Sequence, residues 1–338
     1  MKGILCDHWG HYSELAVAEV PVPLLGPGQV RIAVHYATVG FGQTLIVAGT
    51  YQRKPPLPFV PGTEVSGIVT AVADDVSGFQ PGDRVVAALD WGGYAQQAVA
   101  SACTTWHVPA GVDLAIAAGV ALGYGTAYAA LHWRARIQPG DSLLVLGAAG
   151  GVGLPAVQLG RLAGAHVIAV AGSQERVDTA IRYGAHEGLV HGGDALGKRV
   201  LALRGGRGVD IVFDPVGGPL FGEALRCISP EGRILLIGFA SGEVPAIPAN
   251  HLLVKNAEVI GFYYGLYIGW GLTDQRKFYE HRVRTMVNRL FEHVARGELA
   301  PVASVRYPMA RFVEAFDAVV QRRSIGRAIL QISDEAMA

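Results

Sequence analysis

The sequence predicts an α/β protein in which a doubly wound parallel sheet is inserted into a mostly β domain. Three observations predict it. Short alternating segments punctuated by turns run to about residue 110, continuous apolar runs then alternate with helix-length stretches, and an apolar segment near the C-terminus reads as one more strand. A chain of 338 residues suits two domains, because single hydrophobic cores stop growing at about 250–300 residues.

In the first region Gln29-Val30-Arg31-Ile32-Ala33-Val34 alternates polar with apolar, while Pro61-Gly62 and Pro81-Gly82-Asp83 mark turns. From about 112 to 135 the chain is rich in Ala and Leu, which predicts helices. Between roughly 140 and 262 come Leu143-Leu144-Val145-Leu146, Val167-Ile168-Ala169-Val170, Asp210-Ile211-Val212-Phe213, Ile234-Leu235-Leu236-Ile237 and Val259-Ile260. Runs apolar on both faces, separated by crossovers of helix length, require a parallel sheet covered on both sides. A helix is expected over about 275–298 and a second near 309–321, followed by Ala328-Ile329-Leu330-Gln331-Ile332. That last strand is expected to return to the first domain, which gives residues 1–121 and 263–338 as one domain and 122–262 as the insert.

Composition narrows the function. Lys plus Arg and Asp plus Glu each number 28, so no global field draws in nucleic acid or anionic lipid, and a small molecule is the expected partner. Cys6, Cys103 and Cys227 form no CxxC pair, so neither a disulfide framework nor a structural zinc site is expected, and a reducing compartment, the cytoplasm, suits them. No uninterrupted apolar run of about 20 residues is expected to span a bilayer.

The most informative segment is Leu143-Leu144-Val145-Leu146-Gly147-Ala148-Ala149-Gly150-Gly151-Val152-Gly153-Leu154-Pro155-Ala156. Within it Gly151-x-Gly153-x-x-Ala156 follows a strand and opens a helix, the arrangement of a Rossmann dinucleotide-binding domain. Gly150, Gly151, Val152 and Gly153 are therefore candidate pyrophosphate contacts, made by backbone N–H groups at a helix N-terminus. Where a fold selective for NAD ends the second strand on an acid, this chain reads Ala171-Gly172-Ser173-Gln174-Glu175-Arg176. Small Gly172, the Ser173 hydroxyl and the Arg176 guanidinium leave room and donors for a 2′-phosphate, which favours NADPH. The plain alternative is that Ser173 only caps the following helix and Arg176 is a solvated surface residue.

Several blocks, in order and spacing, resemble the quinone oxidoreductase branch of the medium-chain dehydrogenase/reductase superfamily. They are Pro58-Phe59-Val60-Pro61-Gly62-Thr63-Glu64-Val65-Ser66-Gly67, Gly78 to Val85, Gly92-Gly93-Tyr94-Ala95, Tyr124-Gly125-Thr126-Ala127-Tyr128, Ala148 to Gly153, Asp214-Pro215-Val216-Gly217-Gly218 and Gly238-Phe239-Ala240-Ser241-Gly242. The resemblance implies a GroES-like β-rich domain made from both chain ends, an active site in a cleft, and commonly a homodimer. It also implies cofactor contacts from Phe41, Gln43, Thr44, Thr126 (just before a helix), His191, Phe239, Ala240, Ser241 and Phe262.

Two departures bear on the chemistry. Zinc-dependent members of the superfamily carry Gly-His-Glu where this chain has Gly62-Thr63-Glu64, and Thr38 to Thr44 contains no cysteine, so no catalytic metal is expected. Where branch members usually show Val-Asn-Phe-x-Asp, this chain has Val39-Gly40-Phe41-Gly42-Gln43. The expected reaction is hydride transfer from NADPH to a quinone or to the activated C=C of an α,β-unsaturated carbonyl, with Tyr51, Tyr263 and Tyr264 as candidate proton donors. Two alternatives stand beside it. One is an enoyl-thioester reductase, which needs a basic patch such as Arg53-Lys54 with Arg276-Lys277. The other is an NADPH-binding protein with little turnover, resembling the zeta-crystallins.

Overall fold

A computed structural model describes residues 1–192 and 195–333. The chain divides into two compact units, residues 1–125 with 265–338, and residues 126–264. Both junctions fall a few residues later than the sequence boundaries.

The first unit is built on the long strand Gln29–Val39. Its alternation buries Val30, Ile32 and Val34 completely and leaves Gln29, Arg31 and Ala33 half-exposed. Antiparallel partners are Glu64–Val72 on one side and Arg327–Gln331 on the other, and Gln97–Ser101 also pairs with it. Arg84–Ala88, Thr105–His107 and Ala303–Pro308 extend the sheet. Its core gathers Val30, Ile32, Val65, Val85 and Leu330 against Phe316 of the helix Phe312–Val320. Strand contact is so close at Gly67 that a Cβ there would lie 1.9 Å from the Ala33 carbonyl oxygen. A Gly67→Ala protein is therefore expected to lose roughly 3 kcal/mol or more and to melt on the order of 10 °C lower. An unchanged calorimetric midpoint would show that the two strands part easily here.

The second unit holds a six-stranded parallel sheet. Its spatial order is Glu187–Val190, His166–Ala171, Ser142–Leu146, Val209–Asp214, Ile228–Leu236 and Glu258–Gly261, which in chain order is 3-2-1-4-5-6. Every pairing is parallel. Leu143 to Leu146, Val167 to Val170 and Ile211 to Phe213 are fully buried, as strands covered on both faces must be. The order reverses between Ser142–Leu146 and Val209–Asp214, and ligands of open α/β sheets bind at the carboxyl ends of the strands at such a reversal.

One expectation needs correction. The stretch Leu114–Arg134 is long and apolar enough by composition to cross a membrane, although 78% of its most apolar window is buried. Burial on all sides accounts for its composition, and wide turns such as Ala135 N–H to Ala130 C=O interrupt its regular helix.

Candidate active site

At the carboxyl end of Ser142–Leu146 the chain turns through Gly147, whose φ of 62° favours glycine, and enters the helix Gly153–Leu162. The turn and the helix start are in contact: a Cβ on Gly153 would lie 2.1 Å from the Gly147 oxygen, and one on Gly150 3.2 Å from it. Glycine at 153 lets the helix begin directly on the turn. Leu154 N–H bonds back to Gly150 C=O and Ala156 N–H to Val152 C=O, so Gly151, Val152 and Gly153 stand at the helix start, where backbone N–H groups precede the regular ladder. Pro155 falls in that first turn, where its missing N–H is harmless.

On the neighbouring strand, Ser173 occupies the N-cap of the helix Gln174–Arg182 with extended backbone, yet its hydroxyl makes no capping hydrogen bond. The side chain is exposed, and Gly172 beside it is exposed too. The capping alternative therefore fails for the hydroxyl. His191 bonds through its N–H to Ala171 C=O, and its Nε2 lies 3.3 Å from where a Gly172 Cβ would be. Gly172, Ser173 and His191 thus converge at one strand end, with half-buried Arg176 one helical turn on.

The next two strand ends are tied together. Ile237, Ala240 and Ser241 donate their N–H groups to the carbonyls of Asp214, Pro215 and Val216, and Gly218 N–H returns to Glu243 C=O. A Cβ on Gly217 would meet the Phe239 ring at 2.9 Å, so the glycine pair lets this second loop close over the first. Asp214 anchors the arrangement: its Oδ1 accepts from the N–H groups of Val216 and Gly217, both at 2.8 Å. Its Oδ2 is buried with no partner among the described residues. Burial pushes the carboxyl above the usual carboxylate range, and the two N–H groups pull it partly back. This role was not read from the sequence, although Asp214 heads a block whose glycines were noticed.

The sign of the pH effect follows. An acid whose folded pKa exceeds its unfolded value of about 4 contributes stability below that value and loses it as pH rises through the folded one. An Asp214→Asn protein, which keeps the Oδ1 acceptor, is expected to gain on the wild type in urea-unfolding free energy as pH is raised from about 4 towards neutrality. A difference that does not change with pH would mean Asp214 keeps an ordinary pKa.

In the first unit, the turn at Pro61–Thr63 is clamped by main-chain bonds from Gly92, Gly93, Tyr94 and Leu89 to the carbonyls of Val60, Gly62, Pro61 and Thr63. Gln43 lies beneath it, buried, accepting from Gly62 N–H at 3.1 Å and donating from Nε2 to Thr63 Oγ1 at 2.7 Å. Glu64, fully buried, accepts from Leu122 N–H and the Thr38 hydroxyl. Burial raises its pKa against the opposing pull of Arg327. A Cβ on Gly40 would meet Arg327 Nη1 at 2.6 Å, so the guanidinium fills the space that the branch's usual asparagine would take.

Among proteins of known sequence, the chain is 37% identical to quinone oxidoreductase-like protein 2 of Rattus norvegicus over 94% of its own length and 89% of the relative's. The chain belongs to the quinone oxidoreductase family. It is also 31% identical to quinone oxidoreductase of Homo sapiens, over 90% of this chain and 88% of that one. Two family models match, the alcohol dehydrogenase GroES-like domain over residues 26–138 and the zinc-binding dehydrogenase domain over 151–280. The crystal structure of Escherichia coli quinone oxidoreductase complexed with NADPH superposes with a TM-score of 0.88 at 27% identity, covering 98% of this chain and all of that one. A probable oxidoreductase from Mycobacterium abscessus superposes at 0.86 with 32% identity, covering 98% of each chain.

Despite one model's description, the donors for zinc do not fit in this family member. Thr63 replaces the histidine ligand, and among the described residues no group of three His, Cys, Asp or Glu side chains is placed to hold a metal ion. The remaining family-derived candidates are placed as follows. Phe41 opens the helix Phe41–Val47, and the Thr44 hydroxyl donates to Phe41 C=O at 2.6 Å. The Gln43 amide is engaged with Thr63 and Gly62, as described. Thr126 is not ahead of a helix but inside the helical stretch. Phe262 is buried and continues the sheet by donating to Leu236 C=O. Tyr51 and Tyr263 are half-buried and Tyr264 is 5% exposed. Arg53 and Arg276 both pair with Asp90, at 2.8 and 3.0 Å, and Arg276 also pairs with Asp274. Arg53 lies between the rings of Trp91 and Trp270.

Proposed function

We propose that this protein is an NADPH-dependent reductase acting without zinc on a quinone or on the activated C=C of an α,β-unsaturated carbonyl. The observation that carries the reading is the dinucleotide cradle, in which Gly153 sits against Gly147 and an uncapped Ser173 hydroxyl adjoins Gly172. The residues fit the cofactor named for the bacterial relative. N–H groups of Gly151, Val152 and Gly153 would hold the pyrophosphate, and Ser173, Arg176 and His191 the 2′-phosphate. When bound, NADPH supplies a hydride to the acceptor. Phe239, Ala240 and Ser241 follow the strand Ile228–Leu236 and would border the reacting end. A solvent proton completes the reduction.

The thioester reading is less favoured, since Arg53 and Arg276 are already paired with carboxylates and offer little to a second anion. NADPH consumption by the chelator-treated protein, with a quinone, a short alkenal and an enoyl-CoA and with NADH as control, tests the assignment. Rapid turnover of one of the first two with NADPH preferred supports it. Turnover of the enoyl-CoA alone favours the thioester reductase, and tight NADPH binding without any turnover favours the binding-protein alternative.

A homodimer belongs to the same reading. Glu258–Gly261 ends the strand order, and Leu253 and Val254 of the helix Ala249–Lys255 just before it are each 78% exposed. An open sheet edge beside exposed apolar side chains is suited to a second copy. Sedimentation equilibrium of a Leu253→Glu, Val254→Glu protein is expected to give monomers; a wild type already monomeric would remove the dimer. A cytoplasmic setting completes the proposal, since Cys6, Cys103 and Cys227 are free thiols, which suits a reducing compartment.

A further inference from the structure

We propose that Asp214 couples a proton to cofactor binding: as NADPH settles against the glycine loop, the Asp214 carboxylate takes a proton from solvent and becomes the neutral acid. The inference rests on the cradle reading above, which places the pyrophosphate at that loop.

Geometry sets the group close to the loop. Asp214 is the last residue of the strand Val209–Asp214, which adjoins Ser142–Leu146 where the strand order reverses. The segment that follows lies against the start of the glycine loop: a Cβ on Gly147 would stand 3.3 Å from Val216 Cγ2 and 3.6 Å from Pro215 Cγ. Asp214 pins that segment, because its Oδ1 accepts from the N–H groups of Val216 and Gly217. All of these residues belong to one compact unit.

The surroundings decide the charge. Asp214 is fully buried, and Oδ2 has no partner among the described residues. Oδ1 is already an acceptor to two donors, so in the neutral acid the proton sits on Oδ2. The elements packed against this strand are Ser142–Leu146, Ile228–Leu236 and the helix Gly218–Cys227, with the loop from Phe239 to Glu243 tied across its end. Ser142–Leu146 carries no charged residue, and the others bring Glu231, Arg233, Glu223, Arg226 and Glu243. Arg233 is bonded to Ala135 C=O and Asp141, and Arg226 to Glu223. On the strand itself Asp210, towards the opposite end, is bonded to Ser142 and Ser229. None of these acts on the Asp214 carboxyl, which burial pushes up and the two N–H groups pull partly back. Ionised, Asp214 is a buried negative charge without a cation, which is costly by itself. A pyrophosphate at the glycine loop adds negative charge to the same crevice, and protonation of the carboxylate relieves the repulsion.

The sign follows from linkage. A group whose pKa is higher in the complex than in the free protein takes up a proton on binding, and affinity falls as pH rises through the free protein's value. NADPH is expected to bind the ionised form on the order of 10-fold more weakly than the neutral one.

Isothermal titration calorimetry of NADPH into the whole protein, in buffers of different ionisation enthalpy from about pH 5 to 9, reads proton uptake directly and needs no turnover. Asp214→Asn, whose side-chain oxygen can still accept from Val216 and Gly217, is the reference, because titration of the cofactor's phosphates and of His191 is common to both proteins and cancels. The wild type is expected to take up more protons than the variant, by up to about one per cofactor, and to lose on the order of 10-fold in affinity relative to it as pH rises. Infrared difference spectra of the wild type alone give a second measure, which does not depend on the variant folding: NADPH should raise the absorbance of a neutral carboxyl at the expense of a carboxylate. Equal proton uptake by the two proteins, or a wild-type spectrum with no carboxyl gained, overturns the inference. Failure of the wild type to bind NADPH removes the cradle reading and this inference together, whereas tight binding with no proton difference removes this inference alone.

Discussion

A Gly172→Asp enzyme is expected to reverse its cofactor choice, losing on the order of 1,000-fold in its NADPH-over-NADH preference in kcat/KM. The carboxylate would stand at the strand end beside the Ser173 hydroxyl and Arg176, the proposed seat of the 2′-phosphate. Each charge-assisted contact there contributes about 1.5–3 kcal/mol. The substitution replaces them with repulsion towards a dianion and with an acceptor for a ribose hydroxyl. The new Cβ would lie 3.3 Å from His191 Nε2, a side-chain atom rather than backbone. Retained NADPH preference, measured with both cofactors under one acceptor, would place the 2′-phosphate elsewhere.

Gly153→Ala is expected to weaken NADPH binding by about 10- to 100-fold while leaving the far-UV circular dichroism unchanged. A methyl group here meets backbone on its near side, the Gly147 oxygen at 2.1 Å and carbon at 2.8 Å. Neither can rotate away, so the helix must lift from the turn, an overpacking strain of about 1–3 kcal/mol. Lifting the helix would also move the N–H groups proposed to hold the pyrophosphate. Unchanged affinity in a fluorescence titration would show that the phosphates lie elsewhere.

The fold was legible wherever a local pattern repeats. The alternation through Gln29–Val34 placed the central strand of the first unit, and the apolar runs from Leu143 onward placed the parallel sheet. The glycine loop was legible because the backbone approach it permits needs no particular partner in sequence. What escaped are relations between distant residues. Nothing near Gln43 in the chain announces that Gly62 and Thr63 will take both ends of its amide. Thr126 was misjudged because Gly123 and Gly125 read as a break, whereas the helical stretch runs on through them. The apolar run from Leu114 passed unnoticed as a long one because its tyrosines, threonine and glycines disguise its length.

The return of the strand Arg327–Gln331 to Gln29–Val39 governs how the protein is born. On a ribosome, residues 126–264 emerge with all their partners and can complete their sheet early. The first unit cannot: its central strand is made before residues 126–264 and waits for a partner made after them. Loss of the strand Arg327–Gln331 would open an edge along Tyr36–Val39, exposing strand backbone able to pair with other chains. Premature termination near the C-terminus is thus as damaging to this protein as a lesion in its cofactor loop, and its product would be insoluble rather than merely inactive.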